Sequence, residues 1–268
     1  GLTLVKNENY WDGMPHLDTI YVQTISDGDT MTMAMQSKEL DAAYGLPYAS
    51  LPLFNSAPYT ISSVETSRSF FGAMNYATEA LQDANVRRAI AGAIDKEGFT
   101  SVLLEGNGSP AVGPFPASFS FGDTTVYAQP FDLEASRALL SEAGWTDTDG
   151  DGYVDKNGEK LSLRWLTYPS RQELPLLAES VQATMKEIGI DIQINCTANH
   201  LDYIANGDWD IYASAFVCAP TGDPEFFFTT HCLDTSSKNR GGYHSDKLEA
   251  LEVQMSQTFD VTERAKLA

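Results

Sequence analysis

Lys160-Leu161-Ser162-Leu163-Arg164-Trp165-Leu166-Thr167, then Leu174 to Ile188, then Asp191-Ile192-Gln193-Ile194-Asn195, reads as a strand, a helix and a second strand, with Gly189 as the stop between the last two. A strand-helix-strand unit of this kind makes a right-handed crossover between parallel strands. The expected class is therefore α/β, mixed with α+β, built on mixed sheets flanked by helices.

The same reading extends in both directions. Trp209 to Val217 adds a strand, and the chain from Ser245 onward is helical to its last residue. Upstream, Asp132 to Ala143 is a capped helix closed by Gly144, a residue suited to a left-handed cap. Asp83 caps a helix to Ala93 in which Val86, Ile90 and Ala93 recur at helical spacing and Arg87-Arg88 face outward, and another helix begins after Asp95. Ser109 to Phe131, rich in glycine, proline and aromatics, predicts an extended surface loop, and Ser69 to Asn75 a strand. Pro47, Pro52 and Pro58 break the preceding segment into turns and mark a candidate boundary. Before them come strands at Leu2 to Val5 and Leu17 to Ile25 and a helix from Asp29 to Leu40, capped by Asp29 or Thr30, with Met31, Ala34 and Met35 on one face.

A chain of 268 residues that is 43% apolar holds ample material for a packed core. Its 37 acidic against 17 basic residues give a net charge of −20, which excludes nucleic acid and anionic lipid headgroups as partners. No stretch is apolar enough to span a bilayer, and the first residues lack the basic-then-apolar order of a signal peptide. Cys196, Cys218 and Cys232 lack zinc-ribbon spacing and read as buried free thiols, one disulfide among them being the alternative in an oxidising compartment.

Asp147, Asp149, Asp151 and Asp155, with Gly150 and Gly152 between, resemble the opening of a calcium loop. Gly158 stands where the closing bidentate glutamate belongs, so the expectation is an exposed turn satisfied by its own aspartates, without metal. His16, His200, His231 and His244 form no two-histidine helix motif. His231 and Cys232, read as strand neighbours, point to opposite faces. No nucleophile elbow, phosphate loop or dinucleotide fingerprint is present, and no pair of titratable groups is fixed by spacing. A hydrolase is the weakest reading, and no cofactor is expected.

Several segments, in order, resemble the extracytoplasmic solute-binding proteins of peptide, oligopeptide and nickel ABC importers (family 5). They are Asn9-Tyr10-Trp11-Asp12-Gly13, Leu17-Asp18-Thr19-Ile20, and Ala34 to Asp41, in which Lys38 stands where the family has glycine. Asp83 to Ile90 with Ala93 to Glu97 is the most specific match; Ala111 to Pro116, Ala138 to Trp145, Gly189 to Ile192, Asp223-Pro224 and Gly241-Gly242-Tyr243 follow. The resemblance covers nearly the whole chain.

It implies a piece of a longer protein with periplasmic-binding-protein-like class II lobes. Residues 1–70 would be part of the first lobe and 71–268 most of the second, with the return crossover missing. It also implies a monomer lying outside the cytoplasm, in the periplasm or lipid-anchored at the outer face of the membrane. A small solute is closed between the lobes and passed to permease subunits; a surface receptor or adhesion protein on the same fold is the alternative. The expected ligand contacts are Tyr48, Arg68 and Phe70 near the crossover, and Tyr203, Phe216, Asp223 and His231 in the second lobe. In peptide-binding relatives an acidic residue before the Asp-Pro pair meets the peptide's ammonium group; here Pro220 occupies that position. Free peptides are therefore expected to bind weakly, and a metal chelate or small amphipathic solute to be preferred.

Overall fold

A computed structural model describes residues 1–122 and 128–268. The predicted loop at 109–131 thus lies partly outside the described residues. The chain forms two compact units, residues 1–62 and 63–268. The expected 70/71 division falls inside a strand of the second unit.

In the first unit β1 (Leu2–Val5) pairs antiparallel with β2 (Thr19–Val22), and α1 (Gly28–Gln36) follows. The cap of α1 is Asp27, whose carboxylate accepts from the Thr30 amide at 2.7 Å, two or three residues earlier than the Asp29 or Thr30 expected from the sequence. Its buried residues are Thr32 and Ala34 rather than the methionines. Lys38, two residues past this helix, has φ +63°. That is left-handed backbone, where a side chain costs energy and glycine does not, which accounts for the glycine of the resembling proteins.

The second unit is built on a four-stranded sheet formed by β3 (Arg68–Met74), β6 (Ser162–Thr167), β7 (Asp191–Cys196) and β8 (Ile211–Val217), in the order β3-β8-β6-β7. Two short strands, β4 (Asp155–Lys156) and β5 (Glu159–Lys160), make a separate hairpin. β6 runs parallel to β7 and to β8, and β3 closes the edge antiparallel to β8. The expected mixed sheet is present, with its strands where the periodicity put them.

Alternation along these strands sorts side chains onto two faces. Leu163, Trp165, Ile192, Ile211 and Ala213 turn to one face, where they meet Leu81 of α2 (Glu79–Gln82), Val86, Ala89 and Ile90 of α3 (Ala84–Gly92), a short α4 (Lys96–Gly98) following beyond Asp95. The cluster is completed by Leu140 of α5 (Leu133–Glu142) and by Leu174, Ala178, Val181 and Met185 of α6 (Glu173–Glu187). Asp83 and Asp132 cap α3 and α5 as expected, and Gly144 follows α5 at φ +85°. Arg87 does not face outward: it covers the Tyr76 ring and donates to the Leu81 and Gln82 carbonyls, closing the end of α2.

Asp210, 5% exposed, locks the register where β8 begins. It accepts from the Arg164 amide at 2.7 Å, from the Arg164 guanidinium at 3.0 and 2.9 Å, and from Thr78 Oγ1 at 2.7 Å. Burial works to raise its pKa, but these hydrogen bonds outweigh it and hold the carboxylate below its ordinary range.

Trp165 is 1% exposed at the centre of the core, so Trp165→Ala is expected to lower the unfolding free energy of the second unit by about 3–5 kcal/mol in urea titration. Lys38→Gly is expected to do the opposite to the first unit, stabilising it by about 0.5–1 kcal/mol, read as a rise in its thermal midpoint.

Candidate functional site

The other face of the same sheet carries the site. Phe71 and Ala73 of β3 lie opposite Ser214 and Tyr212 of β8, and Phe216 lies opposite Ser69. Tyr168 follows the carboxyl end of β6, and His200 opens α7 (His200–Asn206) after β7. Carboxyl ends of neighbouring parallel strands are where open α/β sheets hold ligands, because the chain must leave the sheet there and opens a crevice. Here they line a cleft of about 200 Å³.

α8 (Glu225–His231), absent from the sequence reading, covers one side. His231 sits at its last position, not on a strand, and its ring meets Phe216 at 4.3 Å, Phe71 at 5.3 Å and Phe227 at 5.4 Å. The segment after α8 supplies Lys238, whose ammonium lies 4.5 Å from the Phe216 ring, and Arg240, whose guanidinium lies 5.1 Å from the Tyr212 ring. That segment is held by Gly241, whose carbonyl accepts from the Tyr76 amide at 2.9 Å. A Cβ there would stand 2.1 Å from the Met74 carbonyl oxygen, so only glycine permits the approach.

Two imidazoles line the cleft with buried ring nitrogens that have no hydrogen-bond partner among the described residues: His231 Nε2 and His200 Nδ1. Burial, followed by the nearby positive charges of Lys238 and Arg240, brings the His231 pKa down to about 4. Burial likewise lowers that of His200, stacked 4.4 Å from Tyr168. Both rings are neutral at pH 7, and a neutral ring keeps one nitrogen able to accept a proton donor or a metal ion.

A second hollow of about 290 Å³ adjoins the cleft at Ala215 and Phe216. Arg68, Arg171, Pro220 and Phe226 line it, and the Phe226 ring stacks on Phe216 at 5.5 Å with an interplanar angle of 6°.

Of the residues singled out in the sequence, Phe216 and His231 come together in the cleft, and Arg68 stands in the adjoining hollow. Phe70 turns to the core face; its neighbour Phe71 is the one that reaches the cleft. Tyr203, 38% exposed on α7, lines neither space. Tyr48 lies in the first unit, in the 3-10 turn Tyr48–Phe54. Asp223 also lies outside the cleft: it accepts two hydrogen bonds, at 2.9 and 2.8 Å, from Arg264 of α10 (Val261–Leu267), which also pairs with Glu225. α10 follows α9 (Asp246–Ser256), so the helical tail is two helices rather than one. Tyr168, His200, Tyr212, Lys238 and Arg240 were not singled out as ligand contacts. Their signal is position: Tyr168 directly after β6, His200 opening α7 after β7, Tyr212 within β8, and Lys238 and Arg240 just before the Gly-Gly pair.

In the acidic loop Asp147, Asp149 and Asp151 place oxygens within 4.8 Å of one another, all exposed. Each already accepts from backbone amides: Gly150 and Gly152 to Asp147, Asp151 to Asp149, Tyr153 to Asp151. Asp155 turns to the amide and hydroxyl of Thr148. These are the local turns expected of the sequence. The three cysteines are free; Cys218 is buried and Cys232 half-buried, but Cys196 is exposed, contrary to the reading of buried thiols.

Residues 1–239 match the family described as bacterial extracellular solute-binding proteins, family 5, middle region. The chain belongs to this family. It is 30% identical over 197 residues to the oligopeptide-binding protein AppA of Bacillus subtilis, covering 72% of this chain and 36% of that one. It is 25% identical to the nickel-binding protein NikA of Staphylococcus aureus, over all of this chain and 52% of that one. The chain therefore spans about a third to a half of these relatives. Among solved structures, a nickel ABC transporter protein from Bacillus halodurans superimposes with a TM-score of 0.76 at 28% identity, over 99% of this chain and 55% of the other. Family 5 members are extracellular solute-binding proteins of ABC transporters and not enzymes. Among the described residues no helix is long and apolar enough to cross a membrane.

A depressed His231 pKa means that the unfolded chain binds a proton between pH 6.5 and about 4 while the folded one does not. Stability is full above pH 6.5 and falls as pH drops through this window. His231→Phe is expected to reduce that fall, measured as the urea midpoint at pH 7 against pH 4.5; an unchanged pH profile would place the His231 pKa near its ordinary value.

Proposed function

We propose that this chain is the solute-capturing part of an ABC importer's binding protein, a monomer outside the cytoplasm that takes a small solute on the aromatic face of its second unit and delivers it to membrane permease subunits. The supporting observation is the cleft itself, with four aromatic rings and two neutral imidazoles whose buried nitrogens have no partner among the described residues. Water and backbone satisfy most buried polar atoms, so two orphans on rings that line the same cleft favour a ligand that supplies the missing partner.

In the two-lobed arrangement of the family, residues 63–268 hold one side of the solute and the first lobe closes over it. Closure is driven by contacts that exist only in the closed state. Anchoring by a lipid or free residence in the periplasm is compatible with the same role.

The solute is a metal chelate or small amphipathic molecule rather than a free peptide. Pro220 lines the hollow beside Arg68 and Arg171, where it offers no charge to a peptide ammonium group. Two relatives bear on this: S. aureus NikA was solved with Ni(L-His)2, and B. subtilis AppA with a nonapeptide. Calorimetry on the intact protein is expected to show a nickel-histidine complex binding at least about tenfold tighter than unblocked di- to pentapeptides, the equivalent of one charge-assisted hydrogen bond. Tight peptide binding that disappears on acetylation of the peptide amine would overturn the preference.

A further inference from the structure

Charge around the cleft runs against the rest of the molecule. Acidic residues outnumber basic ones 37 to 17 in the chain, yet no carboxylate lines either the cleft or the adjoining hollow among the described residues. Four cations do. Arg68 and Arg171 stand in the hollow, Lys238 and Arg240 in the cleft, and the two spaces meet at Phe216. The ring of Phe216 is stacked by Phe226 and approached by the Lys238 ammonium, so the two cationic pairs share one aromatic wall.

A cluster of like charges is unfavourable unless something offsets it. Aromatic faces offset part of the cost for Lys238 and Arg240. Neither Arg68 nor Arg171 has an ion-pair partner among the described residues, whereas Arg164 and Arg264 are each paired with two carboxylates. Guanidinium groups present forked donors that match a carboxylate in pairs. We propose that Arg68 with Arg171, and Lys238 with Arg240, are two anion clasps on either side of Phe216, and that this protein selects a small solute carrying at least two carboxylates, free or wrapped around a metal ion. Resting on the reading of the cleft as a solute site, this names the charge of what the site accepts. The depressed pKa of His231 agrees with it, since Lys238 and Arg240 both contribute to that shift.

The test is titration calorimetry of the intact protein at low and physiological salt with four probes: citrate, citrate with one equivalent of Ni(II), the neutral diamide of glutaric acid, and 1,4-diaminobutane. Citrate, alone or as its nickel complex, is expected to bind, more weakly at higher salt, and the diamide and diamine are not; which citrate form binds tighter separates free acid from chelate. Arg171→Gln and Lys238→Gln, on opposite sides of Phe216, are each expected to weaken binding about tenfold or more while leaving the urea midpoint unchanged. Citrate affinity unchanged in both variants, or citrate binding no better than the diamide, overturns the anion selectivity. Retained binding of a nickel-histidine complex alongside that result would sink the selectivity while leaving the solute-site reading standing; loss of binding of every probe and of that complex would sink both.

Discussion

The pleat of β8 is the constraint on which the second unit depends. Successive residues of a strand point to opposite faces, so Ile211 and Ala213 are committed to the core while Tyr212, Ser214 and Phe216 are committed to the cleft. A slip of one residue would exchange the two sets, placing the Tyr212 hydroxyl in the core and leaving Ile211 and Ala213 to line a wet opening. Asp210 opposes that slip. Its buried carboxylate binds the Arg164 backbone and side chain on β6 and the Thr78 hydroxyl before α2, so the start of β8 is fixed to its neighbours by directional bonds, not by apolar burial alone. A carboxylate removed from water is stable only while those partners are in place, which turns a packing preference into a register.

A core on one face leaves the second face to the cleft and to a smaller buried cluster of Leu166, Trp209 and Tyr212, and the same strands serve both. Trp165 and Leu163 hold β6 against α5 and α6, while Tyr168, at the end of that strand, carries a ring into the cleft. The cleft's geometry is thereby inherited from the rigid part of the molecule. α7, α8 and the segment through Arg240 add to it from outside the sheet, and the last two are tied down locally: α8 by the pairing of Arg264 with Asp223 and Glu225, the segment by Gly241 against Met74 and by Asn239 against Leu233 and Tyr243. Asp223 thus reaches the site through α8, holding the helix that presents Phe226, Phe227 and His231.

Much of this was legible in the sequence because it follows from period and punctuation. The β6-α6-β7 unit, the capped helices α3 and α5, and the strand at β8 are long, strongly patterned and flanked by glycine or aspartate. What escaped has a physical reason in each case. Phe70 and Phe71 are adjacent aromatics, and composition cannot say which faces the core; that parity is set by the Phe71–Ser214 register. α8 is seven residues with three consecutive phenylalanines, a run without helical periodicity, held by tertiary contacts. Arg87 looked solvent-facing because its partners, the carbonyls closing α2, are backbone atoms that no side-chain pattern displays. Lys38 is the reverse case, a departure from a family glycine visible in the sequence whose cost appeared only as a positive φ.

The remaining question is how a protein of net charge −20 can favour an anion at all. At physiological ionic strength the field of a surface charge decays over about 8 Å, so a solute at a distance meets a screened, weakly repulsive molecule. Inside the cleft the balance changes. Tyr168, Tyr212, Phe71 and Phe216 exclude part of the water, which lowers the local dielectric and strengthens whatever charges are close. Those charges are Lys238 and Arg240, with Arg68 and Arg171 beyond Phe216. Long-range repulsion then slows the encounter modestly, whereas short-range attraction acts on the bound state, so acidity of the surface and selection of an anion are not in conflict. The orphaned nitrogens of His231 and His200 fit the same environment. Burial is the main reason their rings remain neutral, with repulsion from Lys238 and Arg240 at His231, and from Arg240 at His200, acting in the same direction; neutral rings can meet the polar or metal-bound part of a solute whose carboxylates are already held.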